Sequence, residues 1–229
     1  MLTDFTRYSK NLGAFTRDEI ELIHTKSVCV TGCGGLGGYA AMTLARFGLR
    51  KLTLVDGDVF TVSNLNRQLF CTEKNIGKNK AAEAQTALSI INSEMEIKIF
   101  SHMLNEDNYS SILSGHDAVI DCLDNIPARI LLEKGCNEAQ IPLVHGAING
   151  FYGQLCSVFP GDNTLSMLYA ENTSAAQDSN GGNPPFTPQL IAAMQCSEVL
   201  KLLCGRKNLL RKKLLLIDME HNSFQTIDL

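Results

Sequence analysis

Ser27-Val-Cys-Val-Thr-Gly32-Cys33-Gly34-Gly35-Leu36-Gly37 is the stretch that decides the fold. Its first half is a short β-branched run ending in glycine, the pattern of a buried strand. From Gly35 to about Phe47, Leu36, Ala40, Leu44 and Phe47 recur at helical spacing, and Gly48 supplies the stop. Lys51-Leu-Thr-Leu-Val-Asp56 is a second strand. Strand, helix and strand within about 30 residues make a βαβ unit, with parallel pairing and a right-handed crossover.

The alternation continues on the C-terminal side. Helices are expected over Asn79–Asn92, Asn105–Leu113 and Pro127–Ala139, and strands over Glu96–Ser101, Asp117–Asp121 and Pro142–His145. After Gly146 the pattern changes: Gly153–Phe159, Leu214–Asp218 and Ser223–Asp228 read as antiparallel strands. Thr187-Pro188 caps and starts a helix that runs to about Cys204. The expected fold class is α/β: a Rossmann-like, doubly wound, mainly parallel sheet extended by C-terminal antiparallel strands. The chain reads as a single domain over 1–229, with a helical arm at 1–26, a nucleotide-binding core at 27–150 and a crossover lid loop at 160–187.

Composition excludes several classes. Of 229 residues, 45% are apolar and 19% charged, which is ordinary for a packed core and excludes disorder. A net charge of −4 argues against a nucleic-acid binder. No run of about 18 apolar residues is present, so no membrane span is expected. The polar start lacks a signal-peptide core. No two of the eight cysteines form Cys-x-x-Cys. They read as buried free thiols, and a reducing cytoplasm fits them.

Gly32, Gly34 and Gly37 satisfy G-x-G-x-x-G between a strand and a helix, where amides at the helix start face an anion. Asp56 ends the next strand, where an acid can accept hydrogen bonds from ribose hydroxyls. This pair selects an adenine nucleotide, and by itself it fits NAD as readily as ATP. The residues that follow favour a triphosphate. Asp56-Gly-Asp58 and Ser63-Asn64-Leu65-Asn66-Arg67-Gln68 put one forked cation among polar side chains. Lys78 and Lys80 open a helix, and Asp124-Asn125 ends the strand across the switch point, where a carboxylate suits Mg²⁺.

These residues resemble the ThiF/MoeB/HesA family of adenylyltransferases, related to ubiquitin-activating enzymes. The matching stretches are Arg7-Tyr8-Ser9-Lys10, Gly32–Gly37, Asp56–Asp58, Ser63–Gln68, Ile76–Lys80, Asp124–Arg129 and Gly153-Gln154. The resemblance implies adenylation of the C-terminal glycine of a small ubiquitin-like sulfur-carrier protein ending in Gly-Gly, with ATP and Mg²⁺ and release of pyrophosphate. It implies an ATP-binding set of Gly34, Gly35, Asp56, Asp58, Ser63, Asn64, Asn66, Arg67, Lys80, Asp124 and Asn125. Gly35 would meet the nucleotide backbone-on and Asp56 would hold the ribose. Asn64 and Arg67 would hold phosphates, Lys80 the α-phosphate, and Asp124 the Mg²⁺. Arg67, Lys80 and Asp124 are the expected catalytic residues.

Three departures from the family carry their own expectations. The two Cys-x-x-Cys pairs of many relatives are absent, so no zinc is expected. No cysteine lies between Cys156 and Cys196, where Ser174, Ser179 and Asn180 stand instead. The chemistry should therefore stop at the acyl-adenylate, with a separate donor such as a cysteine desulfurase supplying sulfur. Lys10 takes the place of the arginine that reaches the partner subunit's phosphates in dimeric members, with Arg7 or Arg17 as substitutes, and a homodimer is expected.

Of the histidines, His24, His102, His116 and His221 read as surface residues, while His145 is a weaker candidate for touching substrate. Arg206-Lys207 and Arg211-Lys212-Lys213 read as a solvated turn. The competing readings are adenylation of another carboxylate (a peptide C-terminus or a modified tRNA base), an NAD-dependent oxidoreductase, and a non-catalytic scaffold.

Overall fold

The computed structural model describes residues 5–170 and 182–229. One eight-stranded sheet runs through it. Its strands are β1 (Ser27–Thr31), β2 (Lys51–Val55), β3 (Glu96–Phe100), β4 (Ala118–Asp121), β5 (Leu143–Asn149), β6 (Tyr152–Val158), β7 (Lys213–Asp218) and β8 (Ser223–Asp228). In space they lie in the order β3-β2-β1-β4-β5-β6-β7-β8. The first five pair in parallel and the last three are antiparallel. The chain leaves β1 toward β2 and β3, then crosses back to β4 on the other side. The C-terminal ends of β1 and β4 therefore flank the crevice where ligands bind in such sheets.

The helices are α1 (Arg17–Thr25), α2 (Gly35–Phe47), α3 (Lys80–Ile91), α4 (Tyr109–Leu113), α5 (Ile126–Ala139), α6 (Thr164–Leu168) and α7 (Phe186–Leu203). Period-two alternation along the strands sorts them into two cores. Val28 and Val30 of β1, with Ile120 of β4, face α1, α2, α3 and α7. Cys29, Val119 and Leu143 face α4, α5 and α6. Asp121 and His145 belong to this second face, side by side in the β4/β5 register.

Several local expectations are corrected. A helix over 105–113 is replaced by α4 alone. The Asn105 carboxamide accepts from the amides of Asp107 and Asn108, and Asn108 accepts from Asn105, so side chains hold residues 105–108 as a loop. Thr187 is not the cap of α7, which begins at Phe186. The buried Thr187 hydroxyl donates instead to the Gly150 carbonyl at 2.6 Å. The basic cluster is solvated only in part: Lys207, Lys212 and Lys213 are exposed as read, but Arg206 forks onto Glu19 and lies over Phe15, and Arg211 forks onto Asp162. His102 and His221 are exposed as read, but His116 bridges the Leu113 carbonyl and the Thr53 hydroxyl.

His24 is the sharpest exception. It is buried beneath Tyr8, ring centroids 4.9 Å apart, and neither ring nitrogen has a hydrogen-bond partner among the described residues. Burial, and then the nearby Arg50, hold its imidazole below the usual histidine value. The folded chain thus keeps His24 neutral while the unfolded chain takes up a proton near pH ~6.5, so stability is lost as pH falls through that value. His24→Leu should raise the melting temperature, with a gain of about 1 kcal/mol from relieving the unmade hydrogen bonds. It should also flatten the loss of stability between about pH 7 and pH 5 in thermal melts.

Candidate functional site

The site begins with the turn after β1. Gly32 has φ +91°, and a Cβ there would lie 2.5 Å from the Cys122 carbonyl oxygen. A Cβ at Gly37 would lie 1.7 Å from the Gly32 carbonyl oxygen. Only glycine lets the turn press against the end of β4 while α2 starts directly above it. α2 is preceded by Gly34 and has no side-chain cap, so its first amides are left for an anion. Gly35 opens the helix beside Pro188 and Arg67: a Cβ on it would lie 3.4 Å from the Pro188 Cβ and 3.9 Å from the Arg67 Cγ.

Asp56 closes this turn from the β2 side. Its carboxylate accepts the Cys33 amide at 2.6 Å and the Asp58 amide at 2.8 Å. Burial pushes its carboxyl up, and the two amides pull it back. Asn79 caps α3 and donates to the carbonyls of Asp56 and Asp58. Lys80, in the first turn of that helix, puts its Nζ 2.9 Å from the Asp58 carboxylate. Asp56, Asp58 and Lys80 are thus brought together around the glycine turn.

The Ser63–Arg67 segment is less uniform. Asn64 is buried, and its carboxamide oxygen accepts the Thr61 amide at 3.1 Å, closing the 3₁₀ turn Val62–Asn64. Ser63 meets the Thr61 hydroxyl at 3.0 Å. Arg67 donates to the Ser63 carbonyl and the Asn66 carboxamide, both neutral, and has no carboxylate partner among the described residues. Its positive charge is therefore held in place without being neutralised. Asn66 also donates to the Asn183 carbonyl. Gln68, given no role from sequence, packs against Gly34 with its carboxamide oxygen buried and without a partner among the described residues.

Across the crevice, Asp124 is exposed just beyond β4, and Asn125 donates to it at 3.2 Å. Asn125 also caps α5 through the Ala128 amide. Behind Asp124 lies a buried group that motif reading passed over. Asp121 accepts the Leu123 amide at 2.9 Å and pairs with His145 Nδ1 at 2.7 Å. His145 is fully buried, and burial holds its imidazole below the usual value. It is thus kept from substrate, and its Nε2 lies 3.1 Å from the Tyr169 hydroxyl.

The sequence profile of the ThiF family matches residues 8–229. The chain belongs to the ThiF family. It is 33% identical over 210 residues to the molybdopterin-synthase adenylyltransferase of Escherichia coli, covering 88% of this chain and 83% of that protein. It is 31% identical over 234 residues to the SAMP-activating enzyme E1 of Haloferax volcanii, covering 98% and 85%. A crystal structure of E. coli MccB with ATP superposes with a TM-score of 0.81 at 20% identity, covering 98% of this chain and 72% of that one, and shares the fold. This ThiF-family chain is an adenylyltransferase of the ubiquitin-activating type.

Two of the departures noted in the sequence have a place in the structure. Lys10 is exposed on the 3₁₀ segment Phe5–Asn11, whose Asn11 donates to the Phe47 carbonyl at the far end of α2. A helix of 13 residues is about 20 Å long, so Lys10 is well removed from its own glycine turn. Arg7 donates to Asn92, and Arg17 pairs with Glu21. Second, all eight cysteines are free and seven are buried. Burial pushes the thiols of Cys29, Cys156 and Cys196 up to about 12. Ser174, Ser179 and Asn180 lie outside the described residues. No helix among the described residues is long and apolar enough to cross a membrane.

Thiols this protonated react slowly. Brief iodoacetamide treatment of the folded chain near neutral pH should modify Cys204, the half-buried one, and leave the other seven intact. All eight should react in guanidinium, and peptide mass spectrometry reads both outcomes.

Proposed function

We propose that this chain adenylates the C-terminal glycine carboxylate of a small ubiquitin-like sulfur-carrier protein ending in Gly-Gly. The observation that carries the reading is the crevice between β1 and β4. There an uncapped helix start lies beside the un-neutralised Arg67, Lys80 is tethered through Asp58 next to Asp56, and the exposed Asp124 follows the strand end that touches Gly32. The names of the relatives in E. coli and Haloferax support the acceptor class.

The reaction asks for little covalent help. A carboxylate oxygen of the carrier bonds to the α-phosphorus of ATP, the bond from that phosphorus to the bridging oxygen breaks, and pyrophosphate leaves with the electron pair. The nucleophile is already ionised at neutral pH, so no general base is needed. What the chain supplies is position and charge. Asp56, aligned by two backbone amides, holds the ribose. Arg67 and Asn64 hold the outer phosphates, and Lys80 leaves Asp58 for the α-phosphate. A single exposed carboxylate such as Asp124 fits Mg²⁺ held mainly by phosphate and water rather than a protein cage. Mg²⁺, when bound, neutralises phosphate charge.

In this reading the carrier's tail runs along the outer part of the sheet. On the sheet face opposite α7, a cleft of about 410 Å³ is lined by Tyr152 and Gln154 of β6, Leu216 of β7 and Gln225 of β8. Gln154 donates to Tyr169, whose hydroxyl reaches the Asp121–His145 pair behind Asp124. In a homodimer, Lys10 serves the partner subunit's phosphates, because its own lie a helix length away. The product is the bound acyl-adenylate, which a separate sulfur donor such as a cysteine desulfurase consumes.

ATP–pyrophosphate exchange with candidate carriers tests the reading. Exchange should require a carrier ending in Gly-Gly. Asp124→Ala should fold normally and lose exchange by about a thousandfold or more, since several kcal/mol of charge stabilisation go with the metal. Exchange driven only by another carboxylate, or near-normal exchange in the variant, overturns the assignment. Intact-mass spectrometry of chain, Mg·ATP and carrier without reductant should show no covalent adduct between chain and carrier. Protein purified without added zinc should carry well under one zinc per chain.

A further inference from the structure

The exposed Asp124 sits on a turn whose flanks are fastened from behind. The Leu123 amide is held by the Asp121 carboxylate at 2.9 Å. The Leu123 carbonyl, part of the peptide unit that carries the Asp124 nitrogen, accepts two hydrogen bonds from Arg129, from Nη2 at 2.8 Å and from Nε at 3.2 Å. On the other side Asn125 is fixed by capping α5. Arg129 is itself aimed. Its Nε lies 3.9 Å from the buried Asp121 carboxylate, its Nη1 donates to the Tyr169 hydroxyl at 3.3 Å, and its guanidinium lies over the Tyr169 ring. Tyr169 is held in turn by Gln154 at 2.7 Å and by His145 at 3.1 Å.

One proton arrangement satisfies this chain. His145 carries its hydrogen on Nδ1 and donates it to Asp121. The Tyr169 hydroxyl donates to His145 Nε2 and accepts from Gln154 and Arg129. Every member is then engaged around the fully buried Asp121–His145 pair, where an unpaired partner is costly. Gln154 also lines the cleft on the sheet face, but Asp121, His145 and Arg129 spend their hydrogen bonds on one another, on Tyr169 and on the turn, so their arrangement serves the backbone they hold.

The geometry points to Arg129 as a positioning residue for Asp124: it sets the peptide plane from which the Asp124 carboxylate meets Mg²⁺ and phosphate, with Tyr169 orienting its guanidinium. This rests on the adenylation reading above. A lysine at 129 keeps a charge near Asp121 but cannot fork onto the Leu123 carbonyl and reach Tyr169 as well.

The experiment compares Arg129→Met, Arg129→Lys and Tyr169→Phe with the unaltered chain in three measurements. These are hydrogen exchange of the peptide spanning residues 121–126 in the nucleotide-free protein, the Mg²⁺ dependence of ATP binding, and kcat and KM for ATP in exchange. Arg129→Lys should retain the melting temperature. It should still speed exchange at 121–126 and raise the Mg²⁺ needed for half-maximal binding by about tenfold, the factor one charge-assisted hydrogen bond corresponds to. The loss should fall on kcat more than on KM. Tyr169→Phe should move all three readouts the same way by a smaller factor, and Arg129→Met by a larger one. Should Arg129→Met fail to fold, the lysine and phenylalanine variants decide. Lowered stability with unchanged Mg²⁺ dependence would show a structural role only and overturn the assignment. If the unaltered chain binds no ATP at any Mg²⁺ concentration, the adenylation reading fails and takes the role toward Asp124 with it. Hydrogen exchange then still reports whether Arg129 holds the turn.

Discussion

A side chain at Gly32 would bring its Cβ within 2.5 Å of the Cys122 carbonyl oxygen, and one at Gly37 within 1.7 Å of the Gly32 carbonyl oxygen. These contacts are between backbones, so they cannot be relieved by turning a side chain. They bring the end of β1, the start of α2 and the end of β4 into direct contact at the switch point. From there the rest of the site follows by adjacency. The Cys33 amide meets Asp56 from β2, and the strand end carrying Cys122 continues into Asp124.

That contact also orders the charges. Asp56 is buried and keeps its oxygens on two amides, so it serves as a fixed acceptor whose direction is set before any ligand arrives. Lys80 is buried too, but its partner Asp58 is half exposed, so the pair can exchange partners at modest cost. Arg67 is held by neutral oxygens alone among the described residues. The turn therefore presents one committed acid, one cation with an exchangeable partner and one cation with charge in excess. Such an arrangement favours a polyanion over a neutral ligand.

Much of the fold was legible because its signals are local. Val28, Val30 and Cys29 alternate between two cores, and apolar spacing marks α2, α3 and α7 over nearly their full lengths. Two of the misreadings share one cause: polar residues whose partners lie far away in sequence. Arg206 appears solvated until Glu19 folds against it, and Thr187 appears to be a cap until Gly150 arrives. Asn105 and Asn108 are the local exception. Their carboxamides compete with the helix for the same amides, and apolar spacing carries no trace of that competition. His24 left no signal, because a buried imidazole without partners is unfavourable and composition alone places histidine near the surface.

The candidate site divides in the same way. The glycines, Asp56, Arg67, Lys80 and Asp124 sit in short motifs whose spacing reflects a single turn or strand end. The group behind Asp124 shares no single motif: Arg129 and Gln154 fall in separate short stretches, and Asp121, Arg129, His145, Gln154 and Tyr169 come from β4, α5, β5, β6 and the end of α6. What joins them is register. Parallel pairing sets Asp121 beside His145 on the face away from α7, and the β5–β6 hairpin brings Gln154 to the same face. A carboxylate with no solvent exposure is tolerated there because an amide, an imidazole and a guanidinium all reach it or lie close by. Removing one of them would leave the others paired but the carboxylate undercompensated, a cost that falls on the turn it holds. What pattern reading could not reach is the assembly of these five residues, and that assembly keeps the legible residues in place.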